Sequence, residues 1–255
     1  MTGYVVFQMW SHFREHLVAS HEFFVAEARS RLLAQFDETG MEAEADHFAE
    51  TWLASMSSRF DPDRHDPGDF YEQATDESVA FYMRLQDLRT ITRLSIIAGM
   101  YHEWEKQLRG WLARELLRLR GAREAVRSAV WSEDIGGLYD LLETWGWPVR
   151  DRAYFQDLHL CHLVVNVYKH GNGRSLAELQ ALEPGLTGDR GWPGGLALPP
   201  DHNDLKIGDD AIERFSRVIV TFWRDVPENT FDDQIDAWPR WLEKAFRKDA
   251  RPSAP

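Results

Sequence analysis

The stretch Leu158–Arg174, LHLCHLVVNVYKHGNGR, sets an apolar run directly against a polar end broken by two glycines. Leu158, Cys161, Val165 and Tyr168 recur at helical spacing, and so do Leu160, Leu163 and Val167. A helix that is apolar nearly all round belongs in the middle of a bundle. Asn166 and His170 stand four apart, so they share a face about one turn from each other, with Lys169 beside them. Gly171 is placed to stop the helix in a left-handed conformation. The stretch therefore predicts a central helix whose C-terminal end carries an amide, an ammonium and an imidazole.

Working outward, the neighbouring segments show helical rather than alternating periodicity. Phe7, Trp10, Phe13, Leu17, Phe24, Ala28 and Leu32 form a stripe that predicts one helix over Tyr4–Phe36. A second is expected over Met41–Ser57, with Phe48, Trp52 and Leu53 inward, and Arg59–Gly68 reads as a loop. Asp76–Gly121 is the longest pattern, one helix or two, with Gly99 at a kink or at a close contact. Ser132 is expected to cap a helix reaching Trp145, the central helix starts near Arg150, and Ser175 caps the short SLAELQAL segment. The Gly- and Pro-rich stretch that follows could hold a hairpin between Leu196–Leu198 and Leu205–Ile207. Helices over Asp209–Asp225 and Asp232–Arg247 complete the chain, and residues 251–255 form a flexible tail. The fold read from this is all-α: one multi-helix bundle domain over residues 1–250, with a loop-rich insertion near 184–208.

Composition narrows the function classes. A net charge of −13 opposes a surface that is basic throughout, while leaving room for a local basic groove. The single cysteine, Cys161, cannot form an intramolecular disulfide and fits a packed core position in a reduced compartment. No N-terminal stretch has signal-peptide character, and no apolar run nears the roughly 20 residues that span a bilayer. A soluble, cytoplasmic protein with no membrane partner is the expectation. Charge is nevertheless segregated: 13 acids and two arginines lie between Asp37 and Glu77, whereas basic residues outnumber acids from Arg84 to Arg127. That basic segment could hold a phosphate backbone, or it could be a solvated face paired with the acidic one.

Several motifs carry candidate chemistry. His12-Phe13-Arg14-Glu15-His16 spells the inverted zincin pattern, but no later acidic motif supplies another ligand, so chance spacing on a surface is the reading. His159 and His162 are three apart among Leu, Cys and Val, which reads as packed, hydrogen-bonded histidines rather than a metal pair. His102, Glu105 and Arg109 form a polar stripe on an otherwise apolar helix. It is either an ion pair holding the bundle in register or a support that orients the imidazole of the Asn166/His170 site. No P-loop, GxGxxG, GxSxG or paired-cysteine zinc motif is present, and neither a cofactor nor a metal is expected.

A long helix containing SIIAGMYHEWEKQLRGWL, followed by a later helix ending in N-x-x-K-H-G, resembles the HEPN superfamily over about residues 77–225. That resemblance implies an all-α bundle, commonly a homodimer, in a group rich in metal-independent RNases of toxin–antitoxin and phage-defence systems. It implies His170 as the acid–base residue, Asn166 as the polar residue of the motif and Lys169 beside them. The motif arginine is replaced: Val165, Val164 and Leu163 occupy the three spacings at which it would fall. Arg174, Arg109 or Lys169 would then supply the cation, with Glu105 and His102 in support. Two functions follow. One is a dimeric RNA-cleaving or RNA-binding component with an antitoxin or defence partner; the other is a non-catalytic helical scaffold in which KHG is structural.

Overall fold

The computed structural model describes residues 4–120, 123–188, 201–235 and 237–250. Among them are nine α-helices and one two-stranded sheet, an all-α multi-helix bundle. Strand β1 (Val5–Gln8) leads to α1 (Ser11–Ala28), which runs on through a π-helical turn before α2 (Glu38–Met56). Helix α3 (Pro67–Arg120) follows, then α4 (Glu124–Ser132) and α5 (Ile135–Thr144). Helices α6 (Phe155–His170), α7 (Arg174–Leu182) and α8 (Asp209–Asp225), strand β2 (Asn229–Phe231) and α9 (Arg240–Asp249) complete it.

The axis is α3. Its 54 residues span about 80 Å at the helical rise. Ile97, Met100, Trp104, Leu108, Leu112 and Leu116 recur at three or four residues and are all buried. Around that stripe pack α1, α4, α6, α8 and β1. Helix α6 is central as its composition requires: Leu158, Leu160, Cys161, Leu163, Val164, Val165 and Val167 are buried. Burial pushes the Cys161 thiol far above its ordinary value, so it is a packing group and not a nucleophile.

Helix α2 packs chiefly along the N-terminal part of α3. Phe48 stacks on Phe81 with ring centroids 4.5 Å apart, and the buried Met41, Ala45 and Ala74 lie outside the main hydrophobic cluster. These two antiparallel segments make an arm with its own small seam.

The structure revises several boundaries. Tyr4–Phe36 is not one helix: Val5–Gln8 is extended and pairs antiparallel with Asn229–Phe231, Val5 opposite Phe231 and Gln8 opposite Asn229. β-branched Val5 and Val6 favour the strand, and its partner lies far along the chain, beyond the reach of local periodicity. The pattern expected from Asp76 belongs to one unbroken helix that starts earlier, at Pro67, and is described to Arg120; Gly121 lies outside the described residues. Gly99 makes room rather than a kink, since a Cβ there would stand 3.0 Å from the Phe24 ring. Ser132 ends α4 and Asp134 caps α5 by accepting from the Gly137 N–H. Gly173, not Ser175, stands at the N-cap of α7. The second strand of the expected hairpin pairs elsewhere, Leu205 opposite Thr187, and residues 196–198 lie outside the described residues. Asp232–Arg247 divides into a short 3₁₀ turn and α9, which begins only after Pro239. No helix is long and apolar enough to cross a membrane among the described residues.

Candidate functional site

One face of α6 carries His159, His162, Asn166 and His170, at spacings that keep them within a narrow arc. Leu158, Leu160, Cys161, Leu163, Val164, Val165 and Val167 of the same helix are buried, so this stripe is a polar face set against an apolar one. Opposite it stand α7 and the start of α5. Between them opens a cleft of about 580 Å³, lined by His159, His162, Asn166, Arg174, Ser175 and Glu178 together with Asp134, Tyr139 and Arg150.

Each polar group in the cleft has a defined tether. His159 Nε2 lies 2.9 Å from Glu178 Oε1, a pair made because α7 turns back along α6. The two imidazoles stand with centroids 6.3 Å apart and near-parallel rings. His162 is fixed at both nitrogens: Nδ1 lies 2.8 Å from the Tyr101 hydroxyl of α3 and Nε2 lies 2.9 Å from the Asn166 amide. Burial lowers the His162 pKa, the neighbouring His159 lowers it further, and Glu105, Glu178 and Asp134 act in the opposite sense. A neutral ring has one donor and one acceptor nitrogen, so Tyr101 and Asn166 together set its tautomer. Burial also raises Tyr101, whose hydroxyl keeps its proton.

The cations differ in what they have left to offer. Arg150 is engaged by Glu143, Asp140 and the Gly136 carbonyl. Arg174, at the first position of α7 and exposed on the rim, forms no ion pair among the described residues. It is the cation of the cleft with free hydrogen-bonding capacity.

The sequence-nominated residues divide accordingly. Asn166 and Arg174 line the cleft. His170 lies one turn beyond Asn166 on the same face of α6, exposed and outside the lining residues; Lys169 beside it is exposed as well. Gly171 stops the helix with φ of +72°, its N–H donating to the Val167 carbonyl. Arg109 is only 9% exposed and makes four hydrogen bonds, two to Glu105 and one each to the carbonyls of Val130 and Glu133. That arrangement clamps α3 to the α4–α5 junction and buries the guanidinium away from a phosphate. His102 lies 3.7 Å from Glu105 on the same helix. No bond from that stripe to His170 occurs among the described residues; Tyr101, next to the stripe, holds the His162 ring.

His159 and His162, read from their apolar neighbours as packed, hydrogen-bonded histidines, are hydrogen-bonded but half-buried on the cleft, and Glu178 was not singled out. The signal that could have found them is the i, i+3, i+7 polar spacing of His159, His162 and Asn166 on a helix otherwise apolar. His12, Glu15 and His16 are exposed on α1, and no cluster of three His, Cys, Asp or Glu able to hold a metal occurs among the described residues. Val165, Val164 and Leu163, the positions where a HEPN-type arginine would fall, are each 2% exposed or less; of the three, Leu163 borders the cleft.

Away from the cleft, α9 turns Arg240, Lys244, Arg247 and Lys248 to one side, along a groove of about 630 Å³. Of these, only Arg247 has an ion pair among the described residues, with Glu243.

Comparison of the chain with protein-family models, with curated proteins and with solved structures finds no match.

Proposed function

We propose that this is a HEPN-like helical protein that binds and cleaves RNA without a metal, with its working groups in the α6–α7 cleft. The observation that carries the reading is the His159–Glu178 pair, 2.9 Å apart in an open cleft beside the uncommitted Arg174. An imidazole held by a carboxylate at Nε2 presents its other nitrogen to a substrate in a fixed orientation. His159 takes the proton of a ribose 2′-hydroxyl, whose oxygen attacks the adjacent phosphorus. The bond to the departing 5′-oxygen breaks, and that oxygen receives a proton. Arg174 replaces the missing motif arginine: its fork binds the phosphate and stabilises the charge developing there. Asn166 and neutral His162 position the nucleotide, and the basic side of α9 adds a sequence-independent contact to phosphates.

The test is incubation of the purified protein with a single-stranded RNA in EDTA. The expected products carry 2′,3′-cyclic phosphate and 5′-hydroxyl ends, and Arg174→Ala slows cleavage by about 100-fold. Wild-type protein that leaves RNA intact at every ionic strength contradicts the reading. In that case the alternative gains, a non-catalytic scaffold in which KHG serves as a helix stop, as Gly171 already does.

A further inference from the structure

The arm formed by α2 and the first turns of α3 ends in an apolar groove that nothing among the described residues covers. Leu53, Met56, Phe60, Pro67, Phe70 and Tyr71 line a depression of about 290 Å³ at its tip. Tyr71 is 65% exposed. The loop that shapes the groove is internally braced. His65 Nδ1 accepts from the Asp61 N–H at 3.0 Å, Asp61 accepts from the Asp63 N–H at 3.0 Å, and Asp66 accepts from the Gly68 N–H at 2.8 Å. Phe60 and Phe70 meet edge to face at 5.4 Å, with the His65 ring 5.5 Å from Phe70. A preformed aromatic depression with wet walls costs free energy unless a partner covers it.

Charge selects the occupant. The segment from Asp37 to Glu77 carries 13 acids against Arg59 and Arg64. Among the described residues these acids pair with an arginine only at Asp61–Arg64 and Glu77–Arg84, while Asp37, Glu38 and Asp66 accept hydrogen bonds and Glu50 lies 3.8 Å from His47. Asp69, Glu72 and Asp76 are exposed and form no ion pair among the described residues. Two such arms would repel each other, which disfavours a second copy docking tip to tip. We infer that the arm tip docks a basic amphipathic segment of another protein, whose apolar side chains fill the groove while its Lys and Arg meet the acidic rim. This is the helix-in-groove mode, in which burial gives affinity and charge gives orientation and rate.

The experiment uses the full chain and a fluorescent amphipathic Leu/Lys helix of about 14 residues, roughly four turns, followed by anisotropy. Its controls are a scrambled peptide of the same composition and a Leu/Glu counterpart. The expected result is saturable binding that weakens by about tenfold or more with Tyr71→Ala and with the scrambled peptide. Asp69→Asn/Glu72→Gln weakens it further and flattens its salt dependence. Tyr71 is exposed, so its truncation leaves the fold intact, which an unchanged unfolding midpoint verifies. Absence of binding, or equal affinity for the scrambled peptide and for Tyr71→Ala, overturns the inference. So does equal binding of the Leu/Glu peptide. Self-association in sedimentation that Tyr71→Ala abolishes overturns it as well, because the occupant is then a second copy.

Discussion

Two polar stripes run along the two central helices, and the structure treats them in opposite ways. On α3, Arg109 is sealed: Glu105 and two main-chain carbonyls use its donors, and almost none of it meets solvent. On α6, His159, Asn166 and their neighbours line an open cleft and keep unspent hydrogen-bonding capacity. In sequence the two look alike, a few polar residues at helical spacing within apolar surroundings. What separates a structural polar group from a working one is how many of its bonds the fold has already used.

The comparison breaks first at Arg109. Arg109→Met strands the Val130 and Glu133 carbonyls and leaves Glu105 unpaired, so a loss of about 3–5 kcal/mol in urea unfolding is expected. A loss below about 1 kcal/mol would mean that the clamp is not structural.

His21 is a second sealed group, bonded to Ser216 at 2.9 Å, its pKa lowered by burial to about 4. The unfolded chain takes up this proton first, so stability present above pH 6.5 is lost as pH falls toward 4. The contribution is roughly 3 kcal/mol at one pKa unit per 1.36 kcal/mol. Urea midpoints measured across that window should slope less in His21→Gln, and an unchanged slope would refute the assignment.

Gly171→Ala tests the helix stop. Its positive φ predicts a cost of about 1–2 kcal/mol in thermal unfolding. The smallest effect belongs to the open stripe, where His159→Ala should change stability by less than about 1 kcal/mol, since its pair with Glu178 is partly exposed.

Much of the fold was legible because helices are written in local periodicity. Asp209–Asp225 falls where its pattern puts it, and α6 is central as its apolar circumference requires. The strand Val5–Gln8 was not legible, because its partner lies near residue 230 and a strand's pairing is not encoded within one window. Site residues followed the same division. Asn166 and Arg174 could be nominated from the end of α6. His159 was legible as a hydrogen-bonded histidine but not as a cleft residue, because its exposure depends on where α7 folds back, and the apolar residues around it pointed inward. For Arg109 the ion pair with Glu105 was one of two readings open in the sequence, and its long-range bonds to Val130 and Glu133, which no local pattern shows, favour it.

The proposed function puts the chemistry on the cleft face of α6 and not at its C-terminal end. RNA cleavage by the His159→Ala and His170→Ala variants, side by side with wild type, tests it most directly. The expected result is a loss of about 100-fold or more for His159→Ala, with His170→Ala within about threefold of wild type. The reverse pattern, with His170→Ala inactive and His159→Ala active, would return the site to the helix terminus and contradict the account.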